Sequence, residues 1–424
     1  MLTAIRNSWA LLLGMMLLMV GNGLQGTVLG VRGDAEGMSP SVLGFVMSAY
    51  FVGFLGGTQV TPYLLRRVGH VRVFAALASM ISAAFILYAT VVDPVAWFVM
   101  RVLVGFCLSG VYVVAESWLN DGATNETRGQ TMSAYVFVQM IGIIVAQALL
   151  NVADPGGYDL FVIMSVLVSI SFAPILLSSS PVPMFEATRR MPLTELFHTS
   201  PLGCVGMCLL GAVFGCLFGM GAVYAADLGM SNVEISIFIG AIYLGGLIFQ
   251  IPIGWFSDRM DRRRLIAMVT LTGAVSATLA GMAGGVYLLT ALAFVVGGMA
   301  NPLYSLLAAY VNDLLEHEDM ASAAGGMILI NGVGALIAPI IVGYAMENVG
   351  PAGFFLVIAG AMGGIFVYAL WRMTQRPATP VDETGPMVAM SPVVSQVATD
   401  AAWEAALEDA QEAADQDTAP VPAG

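Results

Sequence analysis

"GWFSDRMDRRR", from Gly254 to Arg264, holds six ionisable residues in its last seven positions, in a chain that is only 10% Asp, Glu, Lys and Arg. An apolar run of about 20 residues, the length that crosses a hydrocarbon core, precedes it, and another follows. Charge gathered between two such runs marks a loop at a membrane surface, because ionised side chains are costly inside the bilayer.

The composition of the whole chain agrees. Of its 424 residues 58% are apolar and 48 are glycine, and the mean hydropathy is +0.86. Water-soluble domains sit near half apolar, so this chain needs lipid as its solvent. Twelve runs have spanning length, at about 8–31, 40–64, 72–92, 95–119, 130–151, 158–178, 201–225, 232–256, 265–283, 285–310, 323–346 and 351–371. The first has only Arg6 before it and is too long for a signal-peptide core, so it is expected to remain as the first helix.

Every basic residue other than the three histidines is arginine, a bias that suggests a GC-rich bacterial genome. Short cytoplasmic loops retain positive charge. With the N-terminus inside, thirteen of the fifteen arginines fall on the cytoplasmic side, Arg32 falls outside and Arg101 lies within a span. The formal charge of -13 says little about a ligand, since nine acids follow Arg376 with no base among them. Cys107, Cys204, Cys208 and Cys216 all sit inside spans and read as small packing residues.

A shift of 192 positions lays Arg66 to Arg72 over Asp258 to Arg264. The same shift superimposes Asn120 and Asp121 on Asn312 and Asp313, Gln139 on Asn331, and Gly142 on Gly334. The chain is therefore expected to be an all-α membrane protein of twelve transmembrane helices in two six-helix bundles, residues 1–178 and 201–372. Parallel repeats of this kind build one large class of secondary transporter, with the substrate site between the halves near the midplane. Residues 179–200 read as a cytoplasmic linker whose "LTELF" segment lies on the membrane surface, and residues 373–424 as a disordered acidic cytoplasmic tail.

The charged loop resembles the loop signature of the major facilitator superfamily: Gly254, then Asp258, Arg259, and the basic pair Arg262 and Arg263. The family's second glycine is Asp261 here. In the first copy that glycine is kept as Gly69, while Pro62 replaces the leading glycine and Arg66 the acid. "RVLVG", Arg101 to Gly105, resembles the superfamily's fourth-helix motif, and the stretch "VVAESWLNDGATNETRGQTMSAY" is most similar to the YcaD-like bacterial branch. The resemblance implies a bacterial inner-membrane protein with both termini cytoplasmic. A small-molecule substrate and the lipid bilayer are its implied partners, protons a candidate coupling ion and a monomer the expected state. It implies no cofactor, no nucleic acid and no enzymatic activity.

By that resemblance Asp258 faces the start of the fifth span near Arg128, closing the cytoplasmic side in the outward-open state. A solvated topology anchor is the alternative. Because Arg66 stands where the first copy's acid belongs, Arg66 and Arg67 are expected to pair across the halves with Glu316, Glu318 or Asp319. Exposed pairs of this kind contribute about 0.2–1 kcal/mol each.

Arg101 and Glu116 are the ionisable residues expected inside the bilayer. They lie about 22 Å apart along one helix, within about 60° of rotation, so Arg101, Ser109, Tyr112 and Glu116 form a single stripe that could line a cavity. Arg101 reads as a site for a substrate anion or a proton-linked group, or as a structural donor to Asn22 or Gln25. For Glu116, gate partner, proton carrier and packing anchor stay open. Spans one, four, seven and ten line the cavity in relatives, which makes Asn22, Gln25, Arg101, Tyr112, Tyr224, Asn301 and Tyr304 the candidate polar contacts. His70, His198 and His317 fall in loops. No P-loop is possible without lysine, and no nucleophile and base stand together. The expected function is secondary active transport of a small solute by alternating access. The alternative is a non-transporting sensor or scaffold that acts through the acidic tail.

Overall fold

A computed structural model describes residues 2–121, 125–177, 191–375, 380, 384, 385 and 387; the side chains of 2–7, 121, 125–129, 177, 317, 318 and 321 are not among them. Twelve helices are long and apolar enough to cross a membrane: α1 Ser8–Ala35, α2 Pro40–Val68, α3 His70–Thr90, α4 Pro94–Asn120, α5 Gln130–Leu149, α6 Asp159–Leu176, α7 Pro201–Asp227, α8 Asn232–Ser257, α9 Arg262–Gly281, α10 Val286–Asn312, α11 Ser322–Val349 and α12 Gly353–Met373. They fall on the twelve expected runs. Among the described residues, most of the arginines gather at the end of the bundle where α3 and α9 begin; the other is the arginine-poor end.

Several basic residues expected in loops belong to helices instead, Arg32 and His70 among them. α1 continues through Arg32, which is buried, donates to the Gly157 carbonyl at 2.9 Å and lies 5.6 Å from the Phe161 ring centroid. His70 is the first residue of α3 and is buried, with Nε2 3.0 Å from Ser117 Oγ. In both cases the helix runs further than the apolar run that announces it, because each side chain finds a buried polar partner.

The 192-residue repeat is written most clearly into the glycines. Gly53 of α2 lies against the backbone of α4 at Val102 and Phe106, and 192 positions on, Gly245 of α8 lies against α10 at Phe294 and Gly298. A Cβ would fall 2.7 Å from Phe106 N at the first and 3.0 Å from Gly298 N at the second. Gly105 against Tyr50 is repeated as Gly297 against Ile242, and Gly23 against Ile143 as Gly215 against Ala335. Gly37 and Gly229, another pair at this offset, both turn the chain with positive φ, +77° and +70°. Lipid gives helices no hydrophobic reason to associate, so bundles depend on small residues that let backbones meet. Each half uses the same crossings to do so.

The charged loops differ between the halves for a backbone reason. Gly69 adopts φ +83°, a conformation open to glycine. Its counterpart Asp261 has φ -53° and caps α9, accepting from Arg263 N at 2.9 Å. Arg262 then turns inward and is buried. It pairs with Asp313 at the end of α10 and donates to Ser257 Oγ and the Ala309 carbonyl at 3.1 and 3.2 Å. Burial pushes the Asp313 carboxyl above the usual carboxylate range, against the pull of Arg262. A stretch of the tail closes this corner: Arg262 donates to the Gly385 carbonyl, Gly385 N to Asp313 and Met387 N to Asp258, the last at 2.8 Å. The rest of residues 376–424, read as a disordered tail, lies outside the described residues apart from 380 and 384. In the linker, the helix Leu193–Thr199 buries Leu196 against Gly326 of α11 and leaves Leu193 and Phe197 exposed.

The paired crossings predict paired sensitivity. Gly53→Val and Gly245→Val are each expected to lower the melting temperature of the purified protein, at a cost of about 1–3 kcal/mol or more from overpacking. Gly254→Ala, where a Cβ meets nothing within 4 Å, should fall within about 0.5 kcal/mol of the parent. Equal melting temperatures for Gly53→Val and Gly254→Ala would count against backbone contact as the clamp.

Candidate functional site

The site grows out of the α2–α4 crossing. Asp93 caps α4, its Oδ1 accepting from Val95 N and Ala96 N at 3.0 and 2.9 Å, and Gly105 lets the Tyr50 backbone of α2 come against α4. That approach brings the Tyr50 ring centroid to 5.1 Å from the Arg101 guanidinium. On the other side of α1, Thr27 Oγ1 donates to Gln147 Oε1 at 2.8 Å and Gln147 Nε2 to the Gly23 carbonyl at 2.9 Å, tying α5 to α1. The second half contributes an aromatic wall. α7 widens into a π-helical turn over Gly215–Met220, a local form frequent at functional sites. The turn carries Phe218, which stacks on Tyr243 of α8 at 4.8 Å between centroids and 12° between planes.

These walls enclose an empty volume of about 1060 Å³, open solvent at its mouth included, between the two bundles. Asn22, Gln25, Arg101, Tyr112 and Asn301, all candidate contacts, line it. Arg101 is the only charged side chain in the lining. Instead of bonding to Asn22 or Gln25, it makes one long 3.5 Å bond to the Met47 carbonyl, and Gln25 Nε2 donates to the Tyr88 hydroxyl at 3.1 Å. Asn301 Nδ2 donates to the Gly297 carbonyl at 3.2 Å.

The remaining candidates lie elsewhere. Tyr224 is not in the lining: it stacks on Phe354 at 4.6 Å and meets Phe355 edge-on at 5.3 Å, inside the second bundle. Tyr304 is buried and also outside the lining. The stripe on α4 divides, with Arg101 and Tyr112 reaching the cavity while Ser109 faces Gly57 and Glu116 accepts from the Tyr135 hydroxyl at 3.0 Å. Helical rotation alone places all four on one face, but α2 and α5 cover its two other members.

Sequence reasoning also missed much of the lining: Tyr50 and Phe51 on α2, Gln139 and Gln147 on α5, and Tyr243 on α8. One signal was available, because Phe51 and Tyr243 are related by the 192-residue repeat.

The halves touch at the arginine-poor end. Asn151 Nδ2 donates to Ser236 Oγ at 2.9 Å, joining α5 to α8, and Ser41 Oγ donates to the Glu347 carboxylate, joining α2 to α11. Gly30 lies against Ala222 and Val223, and Gly343 against Pro40. At the other end Arg66, Arg67 and Glu316 are exposed and Asp319 is half-buried. Arg259, just past the end of α8, lies 4.4 Å from the Trp255 ring centroid. Among the described residues no ion pair joins Arg66 or Arg67 to Glu316 or Asp319. The side chains of Arg128 and Glu318 lie outside the described residues. Asp258 sits 3.8 Å from Arg262 and accepts from Met387 N.

Comparison with known proteins agrees with this architecture. A family model of the Major Facilitator Superfamily matches residues 11–242 and again 203–410. An MFS-type transporter YcaD of Salmonella arizonae, itself uncharacterized, is 26% identical over 344 residues, 80% of this chain and 87% of its own. The YcaD of Escherichia coli O45:K1 is 25% identical over 386 residues, 90% of this chain and 98% of its own. Among solved structures, the nucleoside transporter NupG superimposes with a TM-score of 0.71 at 17% identity, covering 87% of this chain and 98% of that one, and a point mutant of it with a TM-score of 0.76 at 16% identity, covering 86% and 99%. Twelve membrane-spanning helices built as a 192-residue repeat around a central cavity, together with a family match over most of the length, place this chain in the major facilitator superfamily of membrane transporters.

Proposed function

We propose that the chain moves a small solute by secondary active transport, with its two bundles rocking about the central cavity. The observation that carries this reading is where the halves meet: among the described residues, the glycine contacts and hydrogen bonds between them run from the arginine-poor end to the middle, with α2 packed closely on α11, and none lies at the arginine-rich end. With the arginine-rich end at the cytoplasm, that arrangement is the inward-facing state. The opposite state needs contacts of its own at the arginine-rich end. Arg66 and Arg67 with Glu316, Glu318 and Asp319 supply one set, and Asp258 with the start of α5 around Arg128 another. Screened pairs of this kind can bias a two-state equilibrium without locking it.

Joining the arginine-poor end covalently should stop transport. In a background with its four cysteines replaced by alanine, Asn151→Cys with Ser236→Cys, bridged by a short reductant-cleavable thiol cross-linker, is expected to lose solute uptake in proteoliposomes and regain it on reduction. Full uptake while bridged would exclude rocking at this end.

Among the described residues Glu116 is the only buried carboxylate within a membrane-spanning helix, which favours it as the proton-carrying group. Glu116→Gln is expected to retain solute exchange between equal pools while losing accumulation driven by a pH gradient. A mutant that still concentrates solute against that gradient would remove Glu116 from the coupling step.

A further inference from the structure

The cavity's single charge has no counter-ion. Arg101 is 4% exposed, its Nε has no hydrogen-bond partner, and its one donated bond is the long contact to the Met47 carbonyl. No carboxylate among the described residues pairs with it, and Glu116 lies about 22 Å away along the same helix. Arginine does not shed its proton in proteins, so the charge cannot be neutralised by titration. The face of Tyr50 and one carbonyl answer it only in part. Desolvating a cation without a partner is costly, and within a membrane such a residue is a functional group by default. A second buried donor in the same lining, Gln139 Nε2, makes no well-formed hydrogen bond and has the Tyr135 hydroxyl beside it.

Apart from Asn301, the second half lines the cavity with apolar and aromatic groups. Phe214, Phe218 and Tyr243 form a continuous stack, with centroids 5.4 and 4.8 Å apart and planes 14° and 12° apart. Phe218 and Tyr243 of this stack line the cavity from the second half, and Arg101 from the first.

We propose that the solute is an organic monoanion, a carboxylate on a flat, mainly apolar body. Its carboxylate sits on Arg101, its body lies against Phe218 and Tyr243, and Gln139 offers a further donor. One positive charge in the lining selects one negative charge. A dianion such as a phosphate monoester would bring a second charge that nothing in the lining answers, and a neutral solute would leave Arg101 bare. The inference rests on the reading of this cavity as the solute site of a transporter.

The test is a thermal-shift titration of the full-length protein in nanodiscs with benzoate, phenylacetate and indole-3-acetate, each beside its neutral amide, and with phenyl phosphate. At least one carboxylate should raise the melting temperature, with its amide and phenyl phosphate binding at least about 30-fold more weakly. Arg101→Gln should weaken that carboxylate on the order of 100-fold. It should not lower the melting temperature of the unliganded protein, since it removes an unanswered charge; Arg101→Lys, which keeps the charge but not the planar fork, should fall between. The proposal is overturned if no carboxylate shifts the transition, if the amides do so equally, or if Arg101→Gln binds as well as the parent. The comparison of acid with amide needs no variant to fold. If cross-linking at Asn151 and Ser236 reversibly stops uptake while none of these carboxylates binds, the anion class falls and the transporter reading stands.

Discussion

The structure depends on helix backbones meeting without side chains between them. Hydrocarbon offers no hydrophobic reward for burying one apolar helix on another, so close packing must supply the attraction. Gly53, Gly105, Gly245 and Gly297 supply it at the α2–α4 and α8–α10 crossings, where neighbouring backbone leaves no room for a Cβ. These clamps tie the helices of each half closely to one another. Between the halves, the glycines that approach the opposite bundle do so only from the arginine-poor end to the middle, as at Gly30, Gly44, Gly332 and Gly343. Tight crossings within the halves, and a seam between them that runs from one end only to the middle among the described residues, are the arrangement the proposed rocking would use.

Two buried arginines show how differently a membrane protein can treat the same charge. Arg262 is answered on every side, by Asp313, by Ser257, by the Ala309 carbonyl and by the tail at Gly385. It holds together a corner of the second half. Arg101 is equally buried and has no such set of partners. The repeat makes the contrast sharper, since the position 192 residues after Arg101 is Ala293. The charge is therefore no legacy of the common scaffold but a feature of one half alone.

Much of the fold was legible in the sequence because lipid imposes a simple rule. A segment must be apolar for about 20 residues to cross, and "GWFSDRMDRRR" divides two such segments without ambiguity. The offset of 192 was visible in a few polar residues, yet the structure carries it mainly in glycines, whose partners no sequence pattern identifies. The site was half legible. Asn22, Gln25, Arg101, Tyr112 and Asn301 stand out as polar residues in apolar helices, and all line the cavity. Phe51 and Tyr243 did not stand out, because an aromatic facing a cavity reads like one facing lipid. Tyr224 drew attention for its hydroxyl, but its ring belongs to the cluster with Phe354 and Phe355. His70 and Arg262 read as loop residues because charge announces a boundary, while the structure lets each begin a helix by giving it a buried partner.

In the proposed transport cycle the two ends of the bundle open in alternation. The most direct test is a pulsed electron-spin distance measurement in nanodiscs between labels at Val68 and Leu315, which flank the charged groups at the arginine-rich end, with a second pair at Val42 and Asn348 near the Ser41–Glu347 contact. Two distance populations are predicted at each end, with the short population at one end rising as that at the other falls. Replacing Arg66 and Arg67 by Glu should deplete the short population at the arginine-rich end. A single distance at both ends, unmoved by the charge reversal, would contradict alternating access for this protein.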